Sequence, residues 1–313
     1  MKNLKKIKGD ASFRKFYRKK NKNINSIIVF AKKEKFKNLI IYEAINRIFN
    51  KNKILAPKLF KENYKKNYIE IQDFGDQTIF KILKKKKINR LSYFKKIINL
   101  MCKIQSIKSR NIINFRNKIY YIPKYNRKIL INEANLFSKW YAAQNLKSSK
   151  KKTFSKKFNK IIKKLISKLN FKNDVFVHRD FHVSNLMLVR DKIGVIDSQD
   201  ALIGNRAYDL ASLIDDVRFK TSKSFKKKVY DYYLKKQKKL IKNKFKNDFE
   251  ILSVLRNLKI IGIFTRLFLR DGKKKYIKLI PYTWELINMR IKENEVFFDL
   301  KSLLSQNFEK KIK

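Results

Sequence analysis

The chain carries a single cysteine, Cys102, in 313 residues. One thiol excludes an intrachain disulfide framework and any metal site built on several thiolates, and it points to a reducing, cytoplasmic setting. Its three prolines, Pro57, Pro123 and Pro281, are too few and too scattered for a proline-rich linker, so any lobes are expected to be closely joined. Six glycines leave no G-x-G-x-x-G pattern anywhere, which removes the usual glycine-rich phosphate loop. Long apolar runs are also missing. The best one, Ile260 to Leu269, is short and interrupted by Arg266. The basic N-terminus reaches the polar stretch Gly9-Asp10-Ala11-Ser12 without an apolar signal core, so neither a secretory leader nor membrane insertion is expected. No internal repeat is present.

Acidic residues are scarce: 25 Asp and Glu stand against 80 Lys and Arg, a formal net charge of +55. An excess of that size ordinarily marks nucleic acid or an anionic membrane surface as the partner. Its placement argues otherwise. Between Asp174 and Asp216 lie eight acidic residues and four basic ones (Arg179, Arg190, Lys192 and Arg206), so this stretch is net negative. The basic excess falls instead in runs such as Lys84 to Lys87, Lys150 to Lys152, Lys226 to Lys228 and Lys273 to Lys275. Lys, Asn and Ile share A/T-rich codons, and lysine tolerates solvated faces well. The charge is read as compositional drift, and nucleic acid is not the expected partner.

What is abundant is core material: 44% of residues are apolar, with 25 Phe and 15 Tyr. A chain of this length fits one large or two coupled domains. The early segment, Phe13 to Arg18 followed by Ser26 to Phe30, predicts an antiparallel hairpin. Leu39, Ile40, Ala44, Ile45, Ile48 and Phe49 recur at helical spacing, and strands are expected near Leu59 and at Tyr68 to Gln72. From Gln77 onward the periodicity is mainly helical. Helices are expected over Ile79 to Leu83, Tyr93 to Ile107, Ile129 to Gln144, Phe154 to Leu169, Ser222 to Ile241, Asp248 to Phe268 and Ile280 to Ile291.

One block breaks that pattern. Both histidines of the chain fall in His178-Arg179-Asp180-Phe181-His182. Around them, Val175 to Val177 and Leu186 to Val189 read as strands, and a polar turn at Arg190-Asp191-Lys192 leads to a third over Ile193 to Ile196. A hairpin folded at that turn brings Asn185 at its entrance near Asp197 at its exit, with Asp180 on the loop just before. An Asp followed five residues later by Asn, then a turn and an apolar strand ending in Asp, is the layout that handles magnesium and a nucleoside triphosphate in kinase-like phosphotransfer. Asn185 and Asp197 offer the hard oxygen donors that Mg²⁺ takes in small number, with phosphate oxygens completing its shell. Asp180 is left to orient an acceptor hydroxyl and take its proton. The plain alternative is a polar hairpin whose Asp and Asn cap turns. It would require the spacing, the order and the clustering of both histidines all to be coincidence.

These motifs resemble the aminoglycoside phosphotransferase family. The resemblance runs from about residue 9 to residue 291 and is carried by Gly9-Asp-Ala-Ser-Phe-Arg14, Asp73-Phe-Gly75, Glu133, Trp140-Tyr141, the His178 to Asn185 block, Ile196-Asp-Ser-Gln-Asp-Ala201, Tyr208-Asp-Leu210, Leu258 to Phe264 and Leu269 to Lys273. Within the family the flanking blocks are most similar to the branch that phosphorylates N-acetylmuramate and N-acetylglucosamine in cell-wall recycling. One departure is Ser198, where an aromatic residue is usual after the metal-binding Asp.

The resemblance implies an α+β, two-lobed protein-kinase-like fold: residues 1–73 as an antiparallel-sheet, nucleotide-binding N-lobe and residues 74–313 as a larger, mainly helical lobe for catalysis and acceptor binding. It implies ATP and Mg²⁺ as cofactors, Asp180 as base, Asn185 and Asp197 on the metal, and a small-molecule acceptor, the anomeric hydroxyl of an amino sugar. Other acceptors that such a fold serves are choline, homoserine and aminoglycosides. A basic polyanion-binding protein with a vestigial kinase fold is the alternative from another class, and retention of all three motif residues speaks against it.

Asp73-Phe74-Gly75 spells the protein-kinase metal motif but precedes the catalytic loop in the chain, the wrong order, so it reads as a hinge or turn. Just before it, Glu70, Ile71 and Gln72 are expected along the adenine pocket, their backbone doing the recognition. Ser12 is a candidate for presenting backbone N–H groups to the phosphates. His178 and His182 are read as loop support, and Asp209 as a helix N-cap or support of the catalytic loop. Asp200, Glu133, Arg256 and Lys259 are candidates for acceptor contacts, while Trp140 and Trp284 are expected to pack in the core. Lys32 and Glu43 are candidates for a phosphate lysine and its helix partner, neither in convincing register.

Overall fold

The structure is a computed structural model that describes residues 4–7, 14–20, 25–31, 37–237, 240–292 and 294–312. It divides into two compact units, residues 1–123 with 175–203, and residues 124–174 with 204–313. These units are drawn by contact, so the catalytic block groups with the N-terminal sheet.

The first unit is built on a five-stranded antiparallel sheet of β1 (Leu4–Ile7), β2 (Lys15–Lys19), β3 (Ser26–Phe30), β4 (Leu59–Asn63) and β5 (Tyr68–Gln72), in the order β1-β2-β3-β5-β4. The expected hairpin is the β2–β3 pair, with Lys15 opposite Phe30 and Lys19 opposite Ser26. β3 is central because Ile27 and Val29 are β-branched and face one side, where Ala31, Ile69 and Ile71 join them. The helix α1 (Lys37–Lys51) closes that side with Leu39 and Tyr42. Its Ala44, Ile45, Ile48 and Phe49 are buried as well, so α1 is covered on more than its sheet face.

Two helices follow, α2 (Ile79–Leu83) and α3 (Arg90–Gln105), capped by side-chain oxygens of Thr78 and Asn89 that accept from Lys81 N and Ser92 N. A small hairpin, β6 (Asn111–Ile113) with β7 (Ile119–Tyr121), comes next. The catalytic block then supplies β8 (Val175–Val177) and the hairpin β9 (Leu186–Val189) with β10 (Lys192–Val195). In the β9–β10 register Lys192 faces Val189, which leaves Arg190 and Asp191 as a two-residue loop. Both have positive φ, 45° and 61°, as a type I′ hairpin turn demands. Strand β10 thus begins one residue before its expected start. Gly194 in β10 lies so close to Phe74 that a Cβ there would meet the ring at 2.8 Å.

The second unit is helical. Its spine is α9 (Lys242–Leu269), buried along most of its length. Around it lie α4 (Arg127–Ala134), a π-helical turn (Phe137–Ala142), α5 (Ala143–Asn145), α6 (Ser148–Ser167), α7 (Ala207–Ile214), α8 (Lys223–Lys236), α10 (Ile280–Ile291) and α11 (Phe298–Phe308). The expected helix Ile129 to Gln144 is therefore real but interrupted. Gly262 of α9 presses on the Leu136 backbone, where an added Cβ would sit 2.3 Å away, so only glycine permits this crossing. Trp284 packs against Phe137, Tyr141 and Phe308 as a core residue, whereas Trp140 is half-buried. Among the described residues no helix is long and apolar enough to cross a membrane.

Candidate active site

The loop after β8 turns sharply at Arg179, which takes a positive φ of 74°, and delivers Asp180 half-buried. Its backbone then closes on itself: His182 N donates to Asp180 O at 3.0 Å, and Asn185 N donates to His182 O at 2.9 Å. The Asn185 amide is fixed the same way. Nδ2 donates to Asp180 O at 3.0 Å and faces His182 Nε2 at 3.4 Å. With its nitrogen committed, the amide presents Oδ1 as its remaining donor atom for a cation. Ile196 N donates to Asn185 O at 3.0 Å, which sets Asp197 one residue beyond that bond, at the same end of the hairpin. Asp197 has a positive φ of 64°, a conformation that Asp tolerates better than most residues. These bonds hold the chain segments that carry Asp180, Asn185 and Asp197 at one end of the hairpin.

Both histidines are buried in this frame. His178 Nε2 lies 3.1 Å from Ile196 O, and its ring stacks on Phe49 of α1, tying β8 to the end of β10. His182 sits against the Asn185 amide. Arg179 Nη1 donates to Asp200 O at 3.3 Å, and the Asp200 carboxylate is exposed and accepts from Gln199 Nε2 at 2.8 Å.

Three residues outside the block complete the site, and the sequence reading did not assign them. Arg14, at the entry to β2, pairs with Asp197 Oδ1 at 2.5 Å, its guanidinium lying over the Phe16 and Tyr42 rings. Tyr42 is fully buried. Burial pushes its hydroxyl up to about 12, with the Asp197 charge adding to the rise and Arg14 opposing it. Asn46, one turn along α1, accepts from Ser198 Oγ at 2.6 Å and donates to Pro57 O at 3.2 Å. Ser198, where an aromatic residue was the expected pattern, is wholly buried and holds α1 to the turn that presents Asp197.

Ser12 and Lys32 lie outside the described residues. Glu43 is buried and pairs with Arg47 of its own helix at 2.6 Å. Glu70 is buried too and accepts from Ser26 Oγ at 2.6 Å, and Ile71 is core. β5 is flanked by β3 and β4, so the main chain of Glu70 and Ile71 is engaged in the sheet, and Gln72 N already donates to Lys58 O at 2.8 Å. The Asp73 carboxylate is held by Arg18 and accepts from Gly75 N at 2.7 Å, which makes Asp73-Phe74-Gly75 a turn.

In the second unit Glu133 receives Lys259 Nζ at 2.9 Å and also the Tyr125 hydroxyl. Arg256 is buried and its Nη1 has no hydrogen-bond partner. Asp209 is fully buried in the first turn of α7 and is not the cap: the N-cap position is Arg206, without a side-chain capping bond, and Asn205 Oδ1 just before it accepts from Ala207 N at 2.9 Å. That corrects the N-cap reading, because α7 begins at Ala207 and Asp209 is already inside its first turn.

Among the described residues no three His, Cys, Asp or Glu side chains converge on a metal. One carboxylate and one amide oxygen are a sparse set. They fit Mg²⁺, which keeps water and phosphate oxygens for most of its shell, and they do not fit a cation that needs a full protein cage.

A protein-kinase-like sheet followed by an Asp…Asn…Asp hairpin defines a phosphotransferase, and the chain belongs to the phosphotransferase enzyme family, whose model matches residues 3–240. It is an enzyme, a kinase of small molecules. Among curated proteins it is similar to the N-acetylmuramate/N-acetylglucosamine kinase of Neisseria meningitidis serogroup B, 27% identical over 87% of this chain and 80% of the relative. The enzyme of that name from Pseudomonas putida is 25% identical over 95% of this chain and 86% of the relative. Among solved structures the fold is shared with a choline/ethanolamine kinase family protein from Mesorhizobium loti, with TM-score 0.64, 9% identity and coverage of 96% and 92%. It is also shared with an aminoglycoside phosphotransferase in complex with streptomycin and ATP, with TM-score 0.60, 14% identity and coverage of 90% and 94%.

Proposed function

We propose that the chain transfers the γ-phosphoryl group of ATP, with Mg²⁺, to the anomeric hydroxyl of N-acetylmuramate or N-acetylglucosamine, a step of cell-wall recycling. The observation that carries the phosphotransfer half is the closed hairpin end at which the Asn185 amide bonds the Asp180 backbone and Asn185 O bonds Ile196 N. Mg²⁺, held by Asn185 Oδ1 and Asp197, supplies neutralisation of phosphate charge. Asp180 orients the acceptor hydroxyl and takes its proton. His178 and His182 keep the loop in register, and Asp209 is assigned a structural role. Residues 1–73 serve as the nucleotide lobe and residues 74–313 as the catalytic and acceptor lobe. The adenine is assigned to the end of β5, at Gln72.

The acceptor half is supported by the name shared among the curated relatives and by the charge of the candidate residues. Arg256 and Lys259 stand three positions apart on α9, hence on neighbouring faces. Glu133 is already neutralised by Lys259. Net positive side chains of this kind suit the carboxylate of muramate and disfavour the cationic acceptors choline and aminoglycosides. Asp200 is the candidate for contacts to sugar hydroxyls.

The test is acceptor-dependent ADP release with Mg-ATP across amino sugars, choline, homoserine and aminoglycosides, with Asp180→Asn as control. Turnover on amino sugars that collapses in the variant is expected. Full activity of Asp180→Asn removes the base, and turnover confined to the other acceptors rejects the amino-sugar assignment.

A further inference from the structure

Protein kinases carry their phosphate-binding lysine on the third strand of the sheet, paired to a helix glutamate. Here β3 reads Ser26-Ile-Ile-Val-Phe30 and has no lysine. The helix glutamate is engaged elsewhere: Glu43 is buried and its Oε1 accepts from Arg47 one turn on. Two other cations of the sheet are also committed. Arg18 forks onto Asp73 at 2.5 Å and onto Asp76 at 2.8 Å, and Lys19 lies 3.3 Å from Glu70.

Arg14 differs from all of these in its partner. Its side chain is 2% exposed, whereas the Asp197 carboxylate that it meets is 38% exposed. The guanidinium is held over two ring faces, 5.5 Å from the Phe16 centroid and 5.1 Å from that of Tyr42. This cation is thus buried at the entry to β2 and paired with the carboxylate proposed to hold the metal.

We propose that Arg14 is the phosphate-binding cation of this enzyme, in place of the strand lysine, and that its pairing with Asp197 is exchanged for phosphate when Asp197 serves the metal. The inference rests on the Mg-ATP reading given above. Asp197 supplies a counter-charge to the buried guanidinium. When Asp197 binds the divalent ion, the planar fork of Arg14 turns to phosphate oxygens, which it can meet through two N–H groups at once. Arg14 released from Asp197 would meet phosphate, and Asp197 released from Arg14 would meet the metal, so binding of each favours binding of the other.

The experiment measures equilibrium binding of Mg-ATP and of adenosine to the full chain by calorimetry, for wild type, Arg14→Gln and Arg14→Lys. Loss of a charged hydrogen-bonding group is expected to weaken Mg-ATP by roughly ten- to a hundredfold in Arg14→Gln, with adenosine, which lacks phosphate, held within about twofold. Arg14→Lys keeps the charge without the fork and is expected to fall between. It also stands in should the Gln variant not fold. If Mg-ATP binding is unchanged in both variants, or if adenosine weakens as much as Mg-ATP, Arg14 is a structural counter-ion and the proposal fails. Wild type that binds adenosine but gains nothing from the triphosphate overturns the Mg-ATP reading itself, a result distinct from the first two.

Discussion

Asp215, at the C-terminal end of α7, is wholly buried yet charged, and replacing it by Asn should unfold the helical unit at much lower denaturant. Its carboxylate receives Arg290 Nε at 2.9 Å and Nη2 at 3.1 Å, Lys226 Nζ at 3.2 Å and Ser253 Oγ at 2.6 Å. Burial alone pushes the carboxyl up, but the Arg290 and Lys226 charges outweigh it and hold it at about 2. The unfolded value is near 3.9, so the folded pKa is the lower one. The stabilisation is therefore present above about pH 4 and is lost as pH falls through about 2, a difference of roughly 2.5 kcal/mol. Asp215→Asn costs more than that, because Arg290 and Lys226 stay buried with no counter-charge, about 3–5 kcal/mol in all. Both tryptophans of the chain, Trp140 and Trp284, belong to this unit, so their fluorescence reports its unfolding specifically. With a urea slope of roughly 2 kcal/mol/M, the midpoint should drop by about 2 M at pH 7. The variant should also lack the acid-sensitive part of the wild-type profile between about pH 4 and 2. A midpoint shift below about 0.5 M, or an unchanged acid limb, would refute the assigned role.

Three further outcomes are expected. Asp180→Asn should lower kcat by roughly 10²–10⁴-fold while Mg-ATP affinity, measured by calorimetry, stays within about twofold, because a base acts on the acceptor and not on the nucleotide. Ser198→Ala should remove the donor to the Asn46 oxygen and cost the first unit about 1–3 kcal/mol, read by hydrogen exchange of α1 amides. Gly262→Ala should destabilise the helical unit by about 3 kcal/mol or more in urea titration, since the new Cβ meets backbone rather than a side chain that can turn away.

The fold was legible where periodicity was long or turn chemistry sharp. Ile79–Leu83, Val175–Val177, Leu186–Val189 and Ile280–Ile291 appear with the expected boundaries. β1, with two apolar residues in Leu4–Ile7, lies at the sheet edge and carries too little alternation to be read. β6 and β7 have three residues each, and with Ile113, Ile119 and Tyr121 exposed while Ile112 is buried, apolar type does not mark the inward face. The π-helical turn begins where Gly262 meets the Leu136 backbone, a contact between distant segments that local periodicity cannot contain.

The candidate site divides along the same line. Asn185 and Asp197 flank one hairpin whose geometry is set by a two-residue turn, and Asp180 is on the short loop just before it, so their proximity in the chain's fold follows from local sequence. Arg14 reaches Asp197 across 183 positions, and Asn46 reaches Ser198 across 152, so neither contact leaves a spacing to read. What the sequence did contain was an anomaly: a serine in place of an aromatic residue beside the metal carboxylate. A small polar side chain fully buried there must find a partner, because an unbonded buried hydroxyl costs about 1–3 kcal/mol. That requirement forces a polar residue onto the face of α1 opposite it, and Asn46 is that residue, itself 2% exposed. Because Tyr42 lies one turn earlier on α1 and beneath Arg14, the same docking that satisfies Ser198 also sets the floor on which the Arg14 guanidinium rests. Substitution at Ser198 or Asn46 should therefore alter nucleotide affinity through Arg14, and Asn46→Ala combined with Arg14→Gln should weaken Mg-ATP less than the product of the single effects. Simple additivity of the two in calorimetry would separate the latch from the cation and refute that coupling.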